Sequence, residues 1–239
     1  MVMCSNMNSK LERLQQRLEY RFSDVALLRQ AMVHRSYLNE ASDPDLESNE
    51  RLEFLGDAIL GAIVAHHLYT KFIDMGEGWM TVARSQLVRN ETLGRIGREL
   101  GLGECLLMGA GVANDGARER LSVLSRALEA TFGAVWLDGG ERAARAVILG
   151  LLEDGINALN TDVVQTDAKS LLQLLTQSRD GSNPTYLIIG ESGPPHDRSF
   201  RASVEVEGEP LAEGCGRSKQ SAEMDAARKA LAVLEEPGA

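Results

Sequence analysis

The hydrophobic period of this chain changes near residue 160, so no single architecture can cover it. Apolar residues recur at helical spacing through most of residues 9–157, with no β alternation anywhere in that span. The spacing predicts helices over Leu11–Leu18, Asp24–Val33, Glu50–Phe72, Met80–Leu100, Ser122–Trp136 and Glu141–Leu159. Ser23 or Asp24 is placed to cap the second, and Gly101, Gly103, Gly139 and Gly140 punctuate the ends of others. The segment 160–166 carries no helical pattern and reads as a linker. Beyond it the order is helix (167–178), strand (185–190), strand (200–206), a Gly-Glu-Pro turn at 208–210, strand (211–214) and an Ala-rich amphipathic helix (218–234). The expected fold class is therefore an all-α N-terminal domain over 9–159, then an α-β-β-β-α domain over 167–236. That second domain is α+β: a three-stranded antiparallel sheet with two helices on one face.

Residues 49–57 read Asn-Glu-Arg-Leu-Glu-Phe-Leu-Gly-Asp and carry the first chemical signal. At about 100° per residue, Glu53 and Asp57 lie within roughly 60° of Glu50, while Leu52, Leu55, Ile59 and Ile63 gather on the opposite side. Acids crowded on one helix face repel one another unless a cation sits among them, and Mg²⁺, which prefers hard oxygen ligands, is the natural occupant. The plain alternative is a solvated acidic face. Two residues argue against it. Phe54 lies beside the acids and off the leucine stripe, where an aromatic ring marks a partner surface. Gly56 interrupts the helix at a cost of up to ~1 kcal/mol relative to Ala, which implies a close neighbour.

Composition sets limits. The net charge of −10 works against a nucleic-acid partner, because phosphate binding ordinarily shows as a basic surplus. RNA binding has to rest on local placement of cations. In the second domain, Arg217 and Lys219 open the last helix, with Arg228 and Lys229 further along. Cations there oppose the helix dipole unless a phosphate binds. Gly214 and Gly216 would let a backbone come close. Gln173 and Gln177 share one face of the first helix, and His196 sits in a Gly-Pro-Pro-His loop. Three widely spaced cysteines without a CxxC pair imply neither a disulfide framework nor a zinc site, and fit a reducing cytoplasm. No run approaches the ~18 apolar residues of a membrane span, and the polar N-terminus does not read as a signal peptide.

The α-β-β-β-α frame resembles the double-stranded RNA-binding domain, which reads A-form duplex by shape. The resemblance implies that Gln173 and Gln177 meet one minor groove, His196 the next, and Arg217 and Lys219 the phosphates between. Members often carry two consecutive lysines at the last helix, where this chain has Lys219 followed by Gln220. The N-terminal half resembles the bacterial ribonuclease III catalytic domain on the Asn49–Asp57 signature. The His34–Asn39 segment, Glu77-Gly78 and the Glu129…Leu-Asp-Gly-Gly140 stretch follow in the expected order.

That resemblance implies Mg²⁺-dependent hydrolysis of double-stranded RNA, with Mn²⁺ able to substitute, leaving 5′-phosphate and 3′-hydroxyl ends, in processing of ribosomal and messenger RNA precursors. It implies Glu53, Asp57 and Glu129 as metal ligands, with Asp57 and Glu129 the most critical, and Glu50 and Glu77 as accessory acids. Arg118 falls in the segment that approaches RNA. It further implies a cytoplasmic homodimer with Phe54 inserted into the partner, and no membrane. One position departs from the family pattern: three residues before Glu129, where a fourth carboxylate is expected, stands Arg126. That substitution keeps a non-catalytic duplex-binding protein in view as the alternative, with a weakened nuclease the preferred reading. A small-molecule metal hydrolase would have no use for the RNA-binding module.

Overall fold

The structure is a computed structural model and describes residues 2–159, 168–194 and 198–235. The expected linker, 160–166, and His196 lie outside the described residues. The chain divides into two compact units: Met1–Lys71 with Arg84–Asn157, and Phe72–Ala83 with Ala158–Ala239.

The first unit is helical. It contains α1 (Val2–Arg17), α2 (Val25–Ala31), α3 (Glu50–Lys71), the end of α4 (Glu77–Val88), α5 (Asn90–Glu99), short α6 (Leu102–Cys105) and α7 (Ala110–Asn114), α8 (Leu121–Leu151) and α9 (Glu153–Asn157). Its axis is α8, whose residues from Leu124 to Val135 are almost all buried, as expected of a helix apolar on every side. Gly140 breaks the regular geometry of α8 at φ 70°, where the sequence pattern places an interruption between two helices. α3 packs on one side of α8 and α5 on another. The buried stripe of α3 is Leu52, Gly56, Ile59, Leu60 and Ile63; Leu55, expected in that stripe, is only half-buried.

Two local outcomes follow from packing rather than from pattern. The helix expected over 80–100 breaks at Arg89, which is extended (φ −66°, ψ 149°), and α5 starts afresh. The break aims Gly94 and Gly97 of α5 at the α8 backbone near Leu121 and Leu124. At α2, Asp24 is the cap, accepting from the Ala26 amide at 2.9 Å. Asp138 near the middle of α8 accepts in turn from the Asp24 and Ser23 amides and from Tyr20 Oη, pinning the N-terminal segment to α8.

The second unit contains α10 (Ala168–Asp180), β1 (Thr185–Ser192), β2 (Ser199–Val206), β3 (Glu209–Gly216) and α11 (Lys219–Glu235). The sheet is antiparallel in the order β1-β2-β3. The β2–β3 turn is made by Glu207 and Gly208, both at positive φ, so β3 starts two residues earlier than the pattern indicates. α11 lies on β2 and β3 and α10 lies on α11. Ala222, Ala226, Ala227 and Ala230 face Ala202 and Val204 in the core. Small side chains are needed because the layers are close: a Cβ on Gly214 would stand 2.0 Å from the Ala226 amide nitrogen, and one on Gly216 would stand 2.2 Å from Ser221 Oγ. These glycines let the α11 backbone come close, which is the close approach expected of them.

Candidate active site

The closest helix contact in the first unit sets the site. A Cβ on Gly56 of α3 would fall 1.7 Å from the Glu129 carbonyl oxygen of α8, and one on Gly133 would fall 2.3 Å from the Leu52 carbonyl oxygen. Only glycine at both positions lets the backbones meet this closely. The crossing places Glu53 and Asp57, which flank Gly56, beside Glu129.

Glu129 is a carboxylate with 9 % exposure inside the buried stretch of α8. Burial, together with the negative charges of Asp57 and Glu53, pushes its pKa up to about 7. Ser125 Oγ lies 2.8 Å from Asn90 Oδ1 and 3.4 Å from Glu129 Oε1, linking the acid to the start of α5. Burial also pushes Glu53 upward, opposed by Arg126 and reinforced by Glu50 and Asp57.

Arg126, one turn before Glu129, places its Nε 3.6 Å from Glu53 Oε1. This is its one ion pair among the described residues. Glu50 pairs with Arg35 at 3.5 Å. A cavity of about 220 Å³ opens beside these two pairs, lined in part by His34, Asn49 and Ser122. His34 caps the turn Arg35–Asn39 by accepting from the Ser36 amide, and buried Asn49 donates to the Ala31 carbonyl. Roomier clefts of about 550, 690 and 710 Å³ hold none of the three acids.

Three hard oxygen donors with mutual repulsion and one opposing cation fit a divalent ion such as Mg²⁺. Among the described residues, no three His, Cys, Asp or Glu side chains stand at ligating geometry. Glu53 is turned to Arg126 and Glu129 to Ser125, so the acids converge without closing into a cage.

The remaining sequence-selected residues divide. Phe54 is 81 % exposed beside the acids. Arg118 turns inward, its Nη1 donating to the Gly103 carbonyl at 2.9 Å and to the Leu106 carbonyl, which makes it a staple between segments. Glu77 opens α4, accepts from Thr81 Oγ1 at 3.0 Å, and groups with the second unit.

In the second unit, Gln173 and Gln177 are exposed, and both donate to Asn183 Oδ1, at 3.3 and 2.9 Å. Asn183 escaped the sequence reading; its place just before a Pro and a strand is the signal that could have marked it. Arg217 and Lys219 are exposed and, among the described residues, carry no ion pair. Arg228 and Lys229, by contrast, both direct their charge to Asp225. Ser218 caps α11 by exchanging hydrogen bonds with Ser221.

Comparison with known proteins places both units. Residues 24–154 match the family described as Ribonuclease-III-like, and residues 168–234 match the Double-stranded RNA binding motif. The chain is 43 % identical over 228 residues to Ribonuclease 3 of Syntrophobacter fumaroxidans, covering 94 % of each. It is 41 % identical over 232 residues to Ribonuclease 3 of Magnetococcus marinus, covering 95 % of this chain and 94 % of the relative. Among solved structures, a nuclease domain of ribonuclease III from Campylobacter jejuni, described for flexibility in a region involved in dimer formation, matches with TM-score 0.57 and 38 % identity. It covers 62 % of this chain and 99 % of that one.

Proposed function

The chain belongs to the ribonuclease III family, and from that premise we propose which of its residues cut double-stranded RNA and how. It is an endoribonuclease acting on double-stranded RNA, with a nuclease part and a duplex-binding part. The carrying observation is the carboxylate of Glu129, nine-tenths buried, held beside Glu53 and Asp57 by the Gly56–Gly133 crossing.

The family is metal-dependent, and the proposed ion is Mg²⁺, with Mn²⁺ as substitute. When bound, it supplies Lewis acidity at the scissile phosphate and lowers the pKa of the attacking water. Glu53, Asp57 and Glu129 hold it. Glu129, fixed by Ser125 and the α8 backbone, sets the depth of the site; Asp57 completes it from α3. Glu50 adds negative charge at the rim, and Glu77 is an accessory acid by its family position alone. The products are ends with 5′-phosphate and 3′-hydroxyl groups.

Gln173 and Gln177 present their amides to ribose hydroxyls in a minor groove, with Arg217 and Lys219 on the phosphates and His196 proposed for the next groove. The Arg118 staple is left out of this set, since its guanidinium is directed at protein carbonyls. Phe54, too exposed for a solitary chain, packs into the partner of a homodimer, which supplies the second carboxylate set for the second strand. Among the described residues no helix is long and apolar enough to cross a membrane; the proposed compartment is the cytoplasm and the proposed substrates are ribosomal and messenger precursors.

Arg126 does not favour the non-catalytic alternative: it pairs with Glu53 at the exposed side and leaves Asp57 and Glu129 free of ion pairs among the described residues. Glu129→Gln tests the assignment. Cleavage of long duplex RNA should fall at least ~100-fold, the scale of removing one strong transition-state interaction, with duplex affinity unchanged; undiminished cutting would place the site elsewhere.

A further inference from the structure

The Arg126–Glu53 ion pair joins one group that a divalent ion needs to one group that a phosphate needs. Glu53 stands beside Asp57 and Glu129 at the Gly56 crossing but is turned to Arg126, whose side chain is 68 % exposed. The neighbouring cavity of about 220 Å³ gives the guanidinium room to leave. A divalent ion drawing on Glu53 competes with Arg126 for its negative charge. A backbone phosphate drawing on Arg126 competes with Glu53 for its positive charge. Whichever binds first removes that competition for the other, which is a positive coupling between the two ligands and is reciprocal by linkage.

We propose that Arg126 is a positioning residue that latches Glu53 in the free protein and, by transferring to an RNA phosphate, couples duplex binding to metal binding. The inference rests on the three-carboxylate reading of the site given above. It also gives the cation at this position a use: the acid pocket stays partly neutralised until substrate arrives. Partly exposed ion pairs contribute up to ~1 kcal/mol, about fivefold in an equilibrium constant, so the coupling carried by this pair should be about two- to fivefold.

The test is Mn²⁺ binding to the full-length chain, read by electron paramagnetic resonance of the free ion, with and without a short product-length RNA duplex bearing 5′-phosphates. Gel electrophoresis after each titration checks that the duplex is intact. The quantity compared is the ratio of Mn²⁺ dissociation constants without and with duplex. Arg126→Gln should bind Mn²⁺ about two- to fivefold more tightly than the parent in the absence of RNA, and its ratio should fall by the same factor. Arg126→Lys, which keeps a cation able to reach phosphate, should restore most of the ratio. A purely structural role for Arg126 would change folding but not that ratio. Mn²⁺ binding by parent and Arg126→Gln with identical ratios overturns the latch alone. No Mn²⁺ binding by either protein, with or without duplex, overturns the three-carboxylate site and the latch with it.

Discussion

The two units of this chain handle polar function in opposite ways. In the first, the acids are built into the packing: Glu129 lies inside the central helix, and the glycines that bring Asp57 and Glu53 to it are the same residues that let α3 and α8 touch. In the second, Gln173, Gln177, Arg217 and Lys219, proposed for RNA contact, stand on the surface, while the close α11–β3 contact at Gly214 and Gly216 serves packing. Function and stability are therefore coupled in one unit and separable in the other. Substitutions in the nuclease unit should move both; those on the duplex-binding surface should move affinity only.

The severest way to break that contrast is Gly56→Ala. The added methyl would meet the Glu129 carbonyl at 1.7 Å, backbone against backbone, where no side chain can yield. Overpacking of this kind costs ~1–3 kcal/mol and occasionally more. Chemical denaturation should show a loss at or above the top of that range, and cleavage should vanish with the displacement of Glu129. A folded, fully active variant would mean that the crossing does not position the acids.

Glu129→Gln sharpens the coupling through pH. Its native pKa of about 7 lies above the ordinary 4.5, so between those values the native state holds a proton that the unfolded chain releases. By linkage, this group's contribution to stability is fully present below 4.5 and is lost as pH rises through about 7. Measured without divalent ions, the parent should lose stability over that window, and Glu129→Gln, with nothing to ionise there, should follow a flatter profile. Added Mg²⁺ should raise the parent's melting temperature more at pH 8 than at pH 5.5, because only the ionised carboxylate can ligate. Parallel pH profiles for the two proteins would remove the buried-acid account.

Legibility in the sequence follows the same division. The helices, the change of period, the alternating β2 strand and the meaning of Gly56 could all be read, because each expresses a local period or a single intolerant position. What escaped depended on partners distant in sequence. Nothing near Arg89 announces that a helix must stop there; the break exists because Gly94 and Gly97 are needed against α8. Glu129 sits in a run whose apolar neighbours mark a core helix, and its importance came from resemblance; its burial is visible only once α3 and α5 are in place. The resemblance places Arg118 in a segment that approaches RNA, and the fold turns its guanidinium to the Gly103 and Leu106 carbonyls. Gly214 and Gly216 signal a close approach in the sequence, but only the folded unit shows that α11 is the element that comes close.

On the surface of the second unit the effects should be smaller and confined to binding. Replacing Arg217 and Lys219 together by Ala removes two cations without ion pairs among the described residues. The slope of log affinity for duplex RNA against log salt should shallow by about 1.5 to 2, on the scale of just under one counterion released per phosphate contact. Thermal stability should stay within ~0.5 kcal/mol of the parent, as for ordinary surface substitutions. A large loss of stability with an unchanged salt slope would show the two residues to be structural, and the contrast between the units would disappear.

The mildest variant probes whether that surface is preorganised. Asn183 accepts from both Gln173 and Gln177, so one loop carbonyl oxygen holds two helix side chains in a common orientation. Asn183→Ala leaves both glutamines present but free to sample their rotamers. Each immobilised long side chain costs roughly 0.5–1.5 kcal/mol on binding, and the exposed hydrogen bonds recover only part of that in advance. A two- to fivefold weakening of duplex affinity should follow, with the salt slope unchanged because no charge is lost. That pairing of a small affinity loss with an intact slope separates it from the Arg217 and Lys219 result. Should Asn183→Ala bind as tightly as the parent, the glutamines contribute nothing through their fixed orientation, and recognition by this unit rests on its cations and its shape.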